Sequence, residues 1–282
     1  MDITRVGIVG SGIMGSGLAE VAARAGYQVV LRSRSADTAA ASVKGVSKNL
    51  AKQVEKGKLS AEDAAAIEAR ITPTGDIKAL ADCDLIIESV VEDMATKIAL
   101  FKELDAVVKP SAIIATNTST LPVVEMAVAT NRPAQVCGIH FFNPAPMMSL
   151  VEVVEPVTAS AETLEVATKF AVACGKDAVR VKDRAGFVVN ALLFPYLNNA
   201  VRIWEQGTAS MEDIDTAMKG GCNFPMGPFA LLDLVGLDTS LAILDALYAE
   251  FRDPNYAAVP TLRRMVAAGR LGRKTKQGFY AY

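Results

Sequence analysis

Short apolar runs rich in β-branched residues alternate with longer segments of helical periodicity up to about residue 184. The runs, which we predict to be buried strands, cover residues 5–9, 27–31, 84–89, 112–116, 135–140 and 149–156. The polar–apolar pattern over residues 36–68 predicts either one long helix or a pair of helices with a break near Gly57. Alternation of strands and helices is typical of a doubly wound, mainly parallel α/β sheet.

From Gly186 onward the periodicity is almost entirely helical, with Gly and Pro residues between the segments. Ser210, followed by acidic residues, is a predicted helix N-cap. The leucine-rich run over 230–251 is more apolar than a small helical domain readily covers, which favours a homodimer through this region. We therefore expect an α/β domain over residues 1–184 and an all-helical domain over residues 185–282.

Composition narrows the possible partners. The 282 residues carry a formal net charge of −2, so we expect neither a nucleic-acid surface nor an anionic-membrane surface. The four cysteines are widely spaced and His140 is the only histidine, so no zinc site and no other metal site is predicted. The chain has no run resembling a signal peptide or membrane helix, and we expect a cytoplasmic protein.

A glycine-rich turn directly follows the first predicted strand and opens a helix. In the pattern Gly10-x-Gly12-x-x-Gly15, the first glycine permits the tight turn, the second lets backbone approach a pyrophosphate, and the third allows close helix–strand packing. This context predicts a Rossmann-type dinucleotide-binding domain. The predicted cofactor-binding turn comprises Gly10, Ser11, Gly12, Ile13, Met14 and Gly15.

The end of the second predicted strand indicates which dinucleotide binds. An NAD(H) site usually has a carboxylate there, which accepts from the ribose 2′-hydroxyl. Here Ser33 takes that position between Arg32 and Arg34. Because arginine binds phosphate in a bidentate manner and no carboxylate repels it, the sequence favours NADP(H). If both arginines are only solvated surface charges, NAD(H) is the alternative.

His140 stands at the end of the strand predicted over 135–140, within the segment CGIHFFNPAP. Glu152 lies in the next predicted strand, so the two strand ends could bring the imidazole and the carboxylate together. A carboxylate on one ring nitrogen fixes the tautomer and raises the basicity of the other nitrogen, as a general acid/base requires. The alternatives are a core histidine with a satisfied hydrogen bond and a solvated strand carboxylate.

Several segments together resemble one family, the 3-hydroxyacyl-CoA dehydrogenases, and most resemble its short-chain bacterial members that act on 3-hydroxybutyryl-CoA. The segments are GSGIMGSGLAE, DLIIESVVED, TNTSTLP, CGIHFFNPAPMMSLVEVVE, GFVVN, NFPMGPFALLDLVGLD and GRKTKQGFYAY. The resemblance implies a Rossmann-type N-terminal domain, a helical substrate and dimerisation domain, and an acyl-CoA substrate held in a cleft between them.

The resemblance also implies roles for individual residues. His140 and Glu152 match the family's catalytic dyad, and Ser119 and Asn190 match residues that contact the substrate oxygens. Ser119 could otherwise be a turn or cap residue, and Asn190 a polar residue in a first helical turn. Residues that match positions around the nicotinamide and its ribose are Glu92, Lys97, Asn143 and Lys274. Without the resemblance, these would be an ordinary surface pair, a turn residue and a tail charge.

Lys56 matches a family contact to coenzyme A. It belongs to a lysine-rich segment, predicted to be helical, that also contains Lys48, Lys52 and Lys58. Such a segment is often just a solvated helix face.

The chain departs from the family pattern in three ways. Ser33 replaces an acidic residue, Thr116 and Thr120 replace serines while keeping the hydroxyl, and Lys276 replaces a small residue in the final KxGxGFY pattern. The replacement at Lys276 could change the local turn and the cofactor contacts near Lys274.

The sequence thus predicts an enzyme that interconverts (S)-3-hydroxybutyryl-CoA and acetoacetyl-CoA with a nicotinamide cofactor. A β-hydroxyacid dehydrogenase acting on a non-CoA substrate is one alternative, since its glycine turn and arginine-bearing second strand are similar. A non-catalytic, crystallin-like dinucleotide-binding protein is the other. The HFFNP–LVEV pattern and the set Ser119, His140, Glu152 and Asn190 favour the acyl-CoA enzyme over both.

Overall fold

The protein was analysed as a computed structural model that describes residues 2–282. The chain divides into two compact units, the first ending at Asp183 and the second spanning Arg184–Tyr282. Across the described residues, no helix has the length and apolar character needed to cross a membrane.

Eight strands of the first unit form one sheet. They are β1 (Arg5–Val9), β2 (Gln28–Arg32), β3 (Ile71–Thr74), β4 (Leu85–Glu88), β5 (Ile113–Thr116), β6 (Val136–Phe141), β7 (Leu150–Glu155) and β8 (Asp177–Lys182). The strand order is β3-β2-β1-β4-β5-β6-β7-β8. The first six are parallel, β7 runs antiparallel to β6, and β8 runs parallel to β7. The predicted Rossmann-type, mainly parallel sheet is therefore confirmed.

Six helices belong to the described part of the first unit. They are α1 (Ile13–Arg24), α2 (Ala36–Glu55), α3 (Ala61–Ala69), α4 (Met94–Val107), α5 (Val123–Ala127) and α6 (Ala161–Ala173). The helix-pair form of the prediction is correct, since the chain turns between α2 and α3 at Gly57, whose φ of +66° suits glycine. Lys58 therefore lies beyond the helix on which the lysine-rich segment was expected, because α2 ends at Glu55.

The central strands are buried because nearly every residue in them is apolar. Ile8, Ile87 and Ile139, on three different strands, have no measurable exposure. Parallel strands covered by helices read as continuous hydrophobic runs of this kind. The order of the strands reverses between β1 and β4. These two strands are hydrogen-bonded neighbours although they are not consecutive in the chain. Ligands of open α/β sheets bind at the carboxyl ends of the strands where the order reverses.

The second unit is built from helices. They are α7 (Val189–Glu205), α8 (Met211–Cys222), α9 (Pro228–Val235), α10 (Leu237–Phe251) and α11 (Pro260–Ala267). The Ser210 hydroxyl accepts from the Asp213 backbone N–H at 3.1 Å, which confirms the predicted N-cap of α8. Buried Asp233 anchors the C-terminal tail by accepting from the backbone N–H groups of Phe279 and Tyr280, at 2.9 and 2.8 Å.

Candidate active site

The glycine-rich turn connects β1 to α1 at the position where the strand order reverses. Gly10 has φ +121°, and a Cβ there would lie 2.2 Å from the Ser89 carbonyl oxygen. A Cβ on Gly15 would lie 1.9 Å from the Gly10 carbonyl oxygen, so both positions require glycine. At Gly12, the N-cap of α1, a Cβ would meet nothing within 4 Å. Open space beside the N-terminus of a helix fits the pyrophosphate of a dinucleotide.

The end of β2 contains a chain of hydroxyl groups. Ser33 is buried, with 7 % exposure, and its Oγ lies 2.7 Å from Ser11 Oγ. The Thr38 hydroxyl donates to Ser33 Oγ at 2.6 Å. Thr38 was not among the predicted site residues, although its place three residues after Ser35, in the capping box of α2, is a recognisable sequence signal. The Ser33 side chain thus joins the glycine-rich turn to the start of α2.

Two arginines flank this serine. The Nε of Arg32 is buried and has no hydrogen-bond partner among the described residues, whereas Arg34 is exposed. A buried, unpartnered guanidinium nitrogen is costly, and an anionic group bound beside it would offset that cost. The residues at this edge therefore fit a cofactor that bears a phosphate near the end of β2.

His140 and Glu152 face each other across the antiparallel strands β6 and β7. They are paired in the strand register, and the His140 Nδ1 lies 2.8 Å from the Glu152 Oε2. Both side chains are almost completely buried, with exposures of 3 % and 1 %. Since a carboxylate accepts hydrogen bonds, we assign the ring proton to Nδ1, which makes Nε2 the acceptor nitrogen of the neutral ring.

Ser119 lies on the other side of the same imidazole. Its Oγ is 3.1 Å from the His140 Nε2, and it follows β5 in the TNTST segment. The Phe142 ring packs against the imidazole with a centroid separation of 4.5 Å. The structure therefore brings three predicted site residues, Ser119, His140 and Glu152, into one contiguous arrangement.

The segment that carries Ser119 is held by two neighbouring side chains. Glu92 accepts from the Ser119 backbone N–H at 2.9 Å and from the Thr118 hydroxyl at 2.5 Å. Asn117 accepts from the Phe141 backbone N–H at 2.8 Å, which ties the segment to the end of β6. These contacts fix the backbone on both sides of the Ser119 hydroxyl.

Lys97 is buried, with only 1 % exposure, so its interpretation as half of an ordinary surface pair is wrong. Its Nζ lies 2.7 and 2.8 Å from the two carboxylate oxygens of Glu88 and 3.3 Å from Glu92 Oε2. Glu88 was not among the predicted site residues. Its sequence signal is a carboxylate at the end of the run LIIE, whose other residues are apolar, since a buried charge needs a partner.

Two further predicted residues of the first unit, Asn143 and Lys56, are exposed. Asn143 lies in the turn after β6, and a cis peptide bond joins it to Pro144. Lys56 is the C-cap of α2 and is also exposed.

Two predicted residues belong to the second unit. Asn190 is buried, with 8 % exposure, near the start of α7. Lys274 donates to Asp238 Oδ2 at 2.6 Å. Lys276, the residue that departs from the family pattern, has φ +58° in the left-handed region. A side chain therefore occupies a backbone conformation that favours glycine.

The cysteine nearest in sequence to His140 takes no part in the site chemistry. Burial raises the pKa of the Cys137 thiol to about 12, so this thiol remains neutral within β6. Burial likewise raises the pKa of Cys83 to about 11. Because only a thiolate is an effective nucleophile, both groups are structural.

A glycine turn shaped for a dinucleotide and a buried imidazole–carboxylate pair occur on one Rossmann-type sheet, and this combination defines a nicotinamide-dependent oxidoreductase. The comparison with known families identifies which one. The model of the 3-hydroxyacyl-CoA dehydrogenase NAD-binding domain matches residues 5–184, and that of the C-terminal domain matches residues 186–282. The chain belongs to the 3-hydroxyacyl-CoA dehydrogenase family.

Individual relatives span the whole chain. It is 47 % identical to a 3-hydroxybutyryl-CoA dehydrogenase of Clostridioides difficile, with 99 % of each chain covered. It is 42 % identical to the mitochondrial hydroxyacyl-coenzyme A dehydrogenase of Homo sapiens, over 99 % of this chain and 91 % of the relative. The crystal structure of (S)-3-hydroxybutyryl-CoA dehydrogenase from Ralstonia eutropha matches with a TM-score of 0.97 at 41 % identity, covering 100 % of this chain and 99 % of that one.

Proposed function

We propose that this protein interconverts (S)-3-hydroxybutyryl-CoA and acetoacetyl-CoA, with His140 as the general acid/base. The observation that carries the proposal is the His140 imidazole itself, which contacts Glu152 through one nitrogen and Ser119 through the other. The names of the relatives from Clostridioides difficile and Ralstonia eutropha support the choice of a short acyl chain.

In the oxidative direction, the His140 Nε2 accepts the proton of the substrate's 3-hydroxyl group. The Glu152 carboxylate, 2.8 Å from Nδ1, stabilises the imidazolium that forms. In the reductive direction, the imidazolium returns the proton to the oxygen of the 3-keto group. The bound nicotinamide supplies the hydride acceptor or donor for C3.

Two polar side chains hold the reacting oxygens in this proposal. Ser119 would donate to the 3-oxygen, whose position lies beside the His140 Nε2, and Asn190 would bind the thioester carbonyl or the 3-oxygen. Hydrogen bonds to a developing negative charge are strongest where water is excluded. The 3 % exposure of His140 supports such an environment.

The cofactor proposed is NADP(H) in preference to NAD(H). The turn over residues 10–15 would hold the pyrophosphate, and Arg32 and Arg34 would bind the 2′-phosphate. Ser33 supports this preference because it is small and neutral where a carboxylate would repel the phosphate. Glu92, Lys97, Asn143 and Lys274 would lie around the nicotinamide and its ribose.

The remaining parts of the proposal concern the acyl-CoA and the assembly. Lys56 would contact coenzyme A, and the helical domain, expected over residues 185–282, would bind substrate and form a homodimer. Exposed apolar side chains of the second unit support an interface: Leu192 is 72 % exposed and Leu234 is 49 % exposed. A cytoplasmic location is consistent with relatives among bacterial dehydrogenases.

The function is tested by incubating purified protein with acetoacetyl-CoA and either NADPH or NADH and following the loss of reduced-nicotinamide absorbance. We expect turnover, and we expect His140→Ala to lower kcat by about 10²- to 10⁴-fold, the usual contribution of a positioned acid/base. Turnover of free 3-hydroxybutyrate but not of its CoA ester would contradict the proposed substrate. Full activity of His140→Ala would contradict the proposed mechanism.

A further inference from the structure

We propose that Glu88 is a positioning residue for the active site: its buried carboxylate links the Lys97 ammonium and the Thr116 hydroxyl to the segment that presents Ser119 to His140. This inference rests on the proposed function, in which Ser119 and His140 act on the substrate. It adds a residue that touches none of the reacting atoms.

The Glu88 carboxylate is saturated with donors. It ends β4 with no measurable exposure, and it accepts from the Lys97 Nζ at 2.7 and 2.8 Å. It also accepts from the Thr116 Oγ1 at 2.7 Å and from the Val90 backbone N–H at 2.6 Å. One side chain thus joins the ends of β4 and β5 to α4, and its charge balances an ammonium that is itself buried.

Two chains of polar contacts, one of hydrogen bonds and one that includes the Lys97–Glu92 ion pair, run from Glu88 to the segment that carries Ser119. The first passes through Thr116, whose Oγ1 accepts from the Thr118 backbone N–H at 3.1 Å, next to Ser119. The second passes through Lys97 to Glu92, whose Oε1 accepts from the Ser119 backbone N–H at 2.9 Å. The first chain thus ends at Thr118 and the second at Ser119, whose hydroxyl lies 3.1 Å from the His140 Nε2.

Loss of the Glu88 charge would therefore alter both chains at once. In Glu88→Gln, the Glu92 carboxylate is the one counter-charge among residues 2–282 that still pairs with the buried Lys97, and the ammonium is drawn toward it. The Glu92 oxygens then leave the Ser119 and Thr118 donors, and the Ser119 hydroxyl loses its alignment with the imidazole. A misplacement of about 1 Å in a reacting group can lower a rate by about 100-fold.

Asp84 offers a matched control at the opposite end of the same strand. It immediately precedes β4, is also buried, and accepts from the Lys109 Nζ at 2.5 Å and the Thr4 hydroxyl at 3.0 Å. Asp84→Asn thus removes an equivalent carboxylate–lysine–threonine cluster, but at the amino end of the sheet. It should reduce stability without changing turnover by the folded protein.

The test combines kinetics with NMR of His140, which is the only histidine in the chain and so gives an unambiguous ring signal. We expect Glu88→Gln to lower kcat for acetoacetyl-CoA reduction by about 10- to 100-fold while the substrate KM changes by less than about threefold. We also expect the His140 ring resonances to shift toward those of Ser119→Ala. Asp84→Asn should keep the wild-type kcat and ring resonances.

The outcomes separate this proposal from the proposed function. If the wild-type protein does not turn over acetoacetyl-CoA, the proposed function fails, and the NMR comparison alone decides the role of Glu88. A wild-type kcat in Glu88→Gln, or ring resonances identical to those of the wild type, overturns the positioning role. Should Glu88→Gln fail to fold, Thr116→Val removes one of the two chains and must shift the ring resonances in the direction of Ser119→Ala.

Discussion

His140 and Glu152 lie directly opposite each other in the register of β6 and β7, and their side chains meet at 2.8 Å. The contact forms where the sheet changes from parallel pairing, between β5 and β6, to antiparallel pairing, between β6 and β7. Directly opposed residues of an antiparallel pair have their Cβ atoms about 5 Å apart, which suits an imidazole–carboxylate hydrogen bond. The reversal of β7 thus delivers a carboxylate to a histidine near the carboxyl end of β6.

Glu152→Gln should lower kcat by about 10²- to 10³-fold with little change in KM, because the amide neither fixes the Nδ1–H tautomer nor stabilises the imidazolium. Steady-state kinetics in both reaction directions provide the measurement. Glu155→Gln is the matched control, since Glu155 ends the same strand and pairs with Lys182 at 2.8 Å, away from the imidazole. Equal losses of activity in the two variants would show that the loss comes from a disturbed β7 and not from removal of the His140–Glu152 contact.

Ser33→Asp should reverse the cofactor preference in favour of NADH. The aspartate would face the ribose hydroxyls from the position between Ser11 and Thr38, and its charge would repel a 2′-phosphate. We expect the ratio of kcat/KM for NADPH to that for NADH to fall at least about 100-fold, a difference of about 3 kcal/mol.

The control for that variant is Ser35→Asp, which adds the same charge two residues later and preserves the N-cap of α2, since aspartate is a good capping residue. A similar change of the ratio in both variants would point to a general charge effect. Better activity of the unmodified protein with NADH would refute the NADP(H) proposal.

Because of Asp84, we expect the first unit to lose part of its free energy of unfolding in acid. Burial alone would raise the pKa of this carboxyl, but hydrogen bonds from Lys109 and from the backbone N–H groups of Thr4 and Arg5 outweigh it and lower the pKa to about 2. The folded-state pKa is thus below the usual unfolded value of about 4. Its stabilisation, roughly 2 kcal/mol, is fully present above pH 4 and is lost as the pH falls from about 4 toward 2.

Urea denaturation of the wild type and Asp84→Asn at several pH values measures this contribution. The free energy of unfolding of the two proteins should differ most above pH 4 and converge toward pH 2. A difference that stays constant over this range would mean that Asp84 is not the titrating group.

The parts of the fold that the sequence predicted are those set by continuous apolar runs. The central strands and the glycine turn follow from local pattern, and so does the pairing of His140 with Glu152 on adjacent strands. The edge strands β3 and β8 were missed, because edge strands are only partly buried and their residues carry exposed polar groups: only Ile71 of β3 and Val181 of β8 are buried. A short run without a strong hydrophobic pattern gives little local indication of a strand.

The partners of buried charges were the least predictable part of the site. Lys97 looks like an ordinary helix-surface lysine in sequence, and only the packing of α4 against the sheet places its ammonium beside Glu88. Ser33 is a second case: its flanking arginines are evident in the sequence, but the contacts of its hydroxyl with Ser11 and Thr38 are not. Such contacts arise from tertiary structure, which local periodicity does not encode.

Lys276→Gly should stabilise the C-terminal tail. Lys276 is exposed and has φ +58°, a conformation that costs a residue with a Cβ about 1–2 kcal/mol. Its local hydrogen bonds are made by the backbone, including the one from the Tyr282 N–H to its carbonyl at 3.0 Å, so glycine can keep them. The greater freedom of glycine in the unfolded chain offsets about 0.5–1 kcal/mol of this, leaving a gain in the free energy of unfolding of about 0.5–1 kcal/mol.

A thermal scan of Lys276→Gly should show a rise in Tm of about 1–3 °C. Lys276→Ala, which removes the long side chain but keeps the Cβ, should show no such rise, and an equal rise in both variants would assign the effect to the lysine charge and not to the backbone.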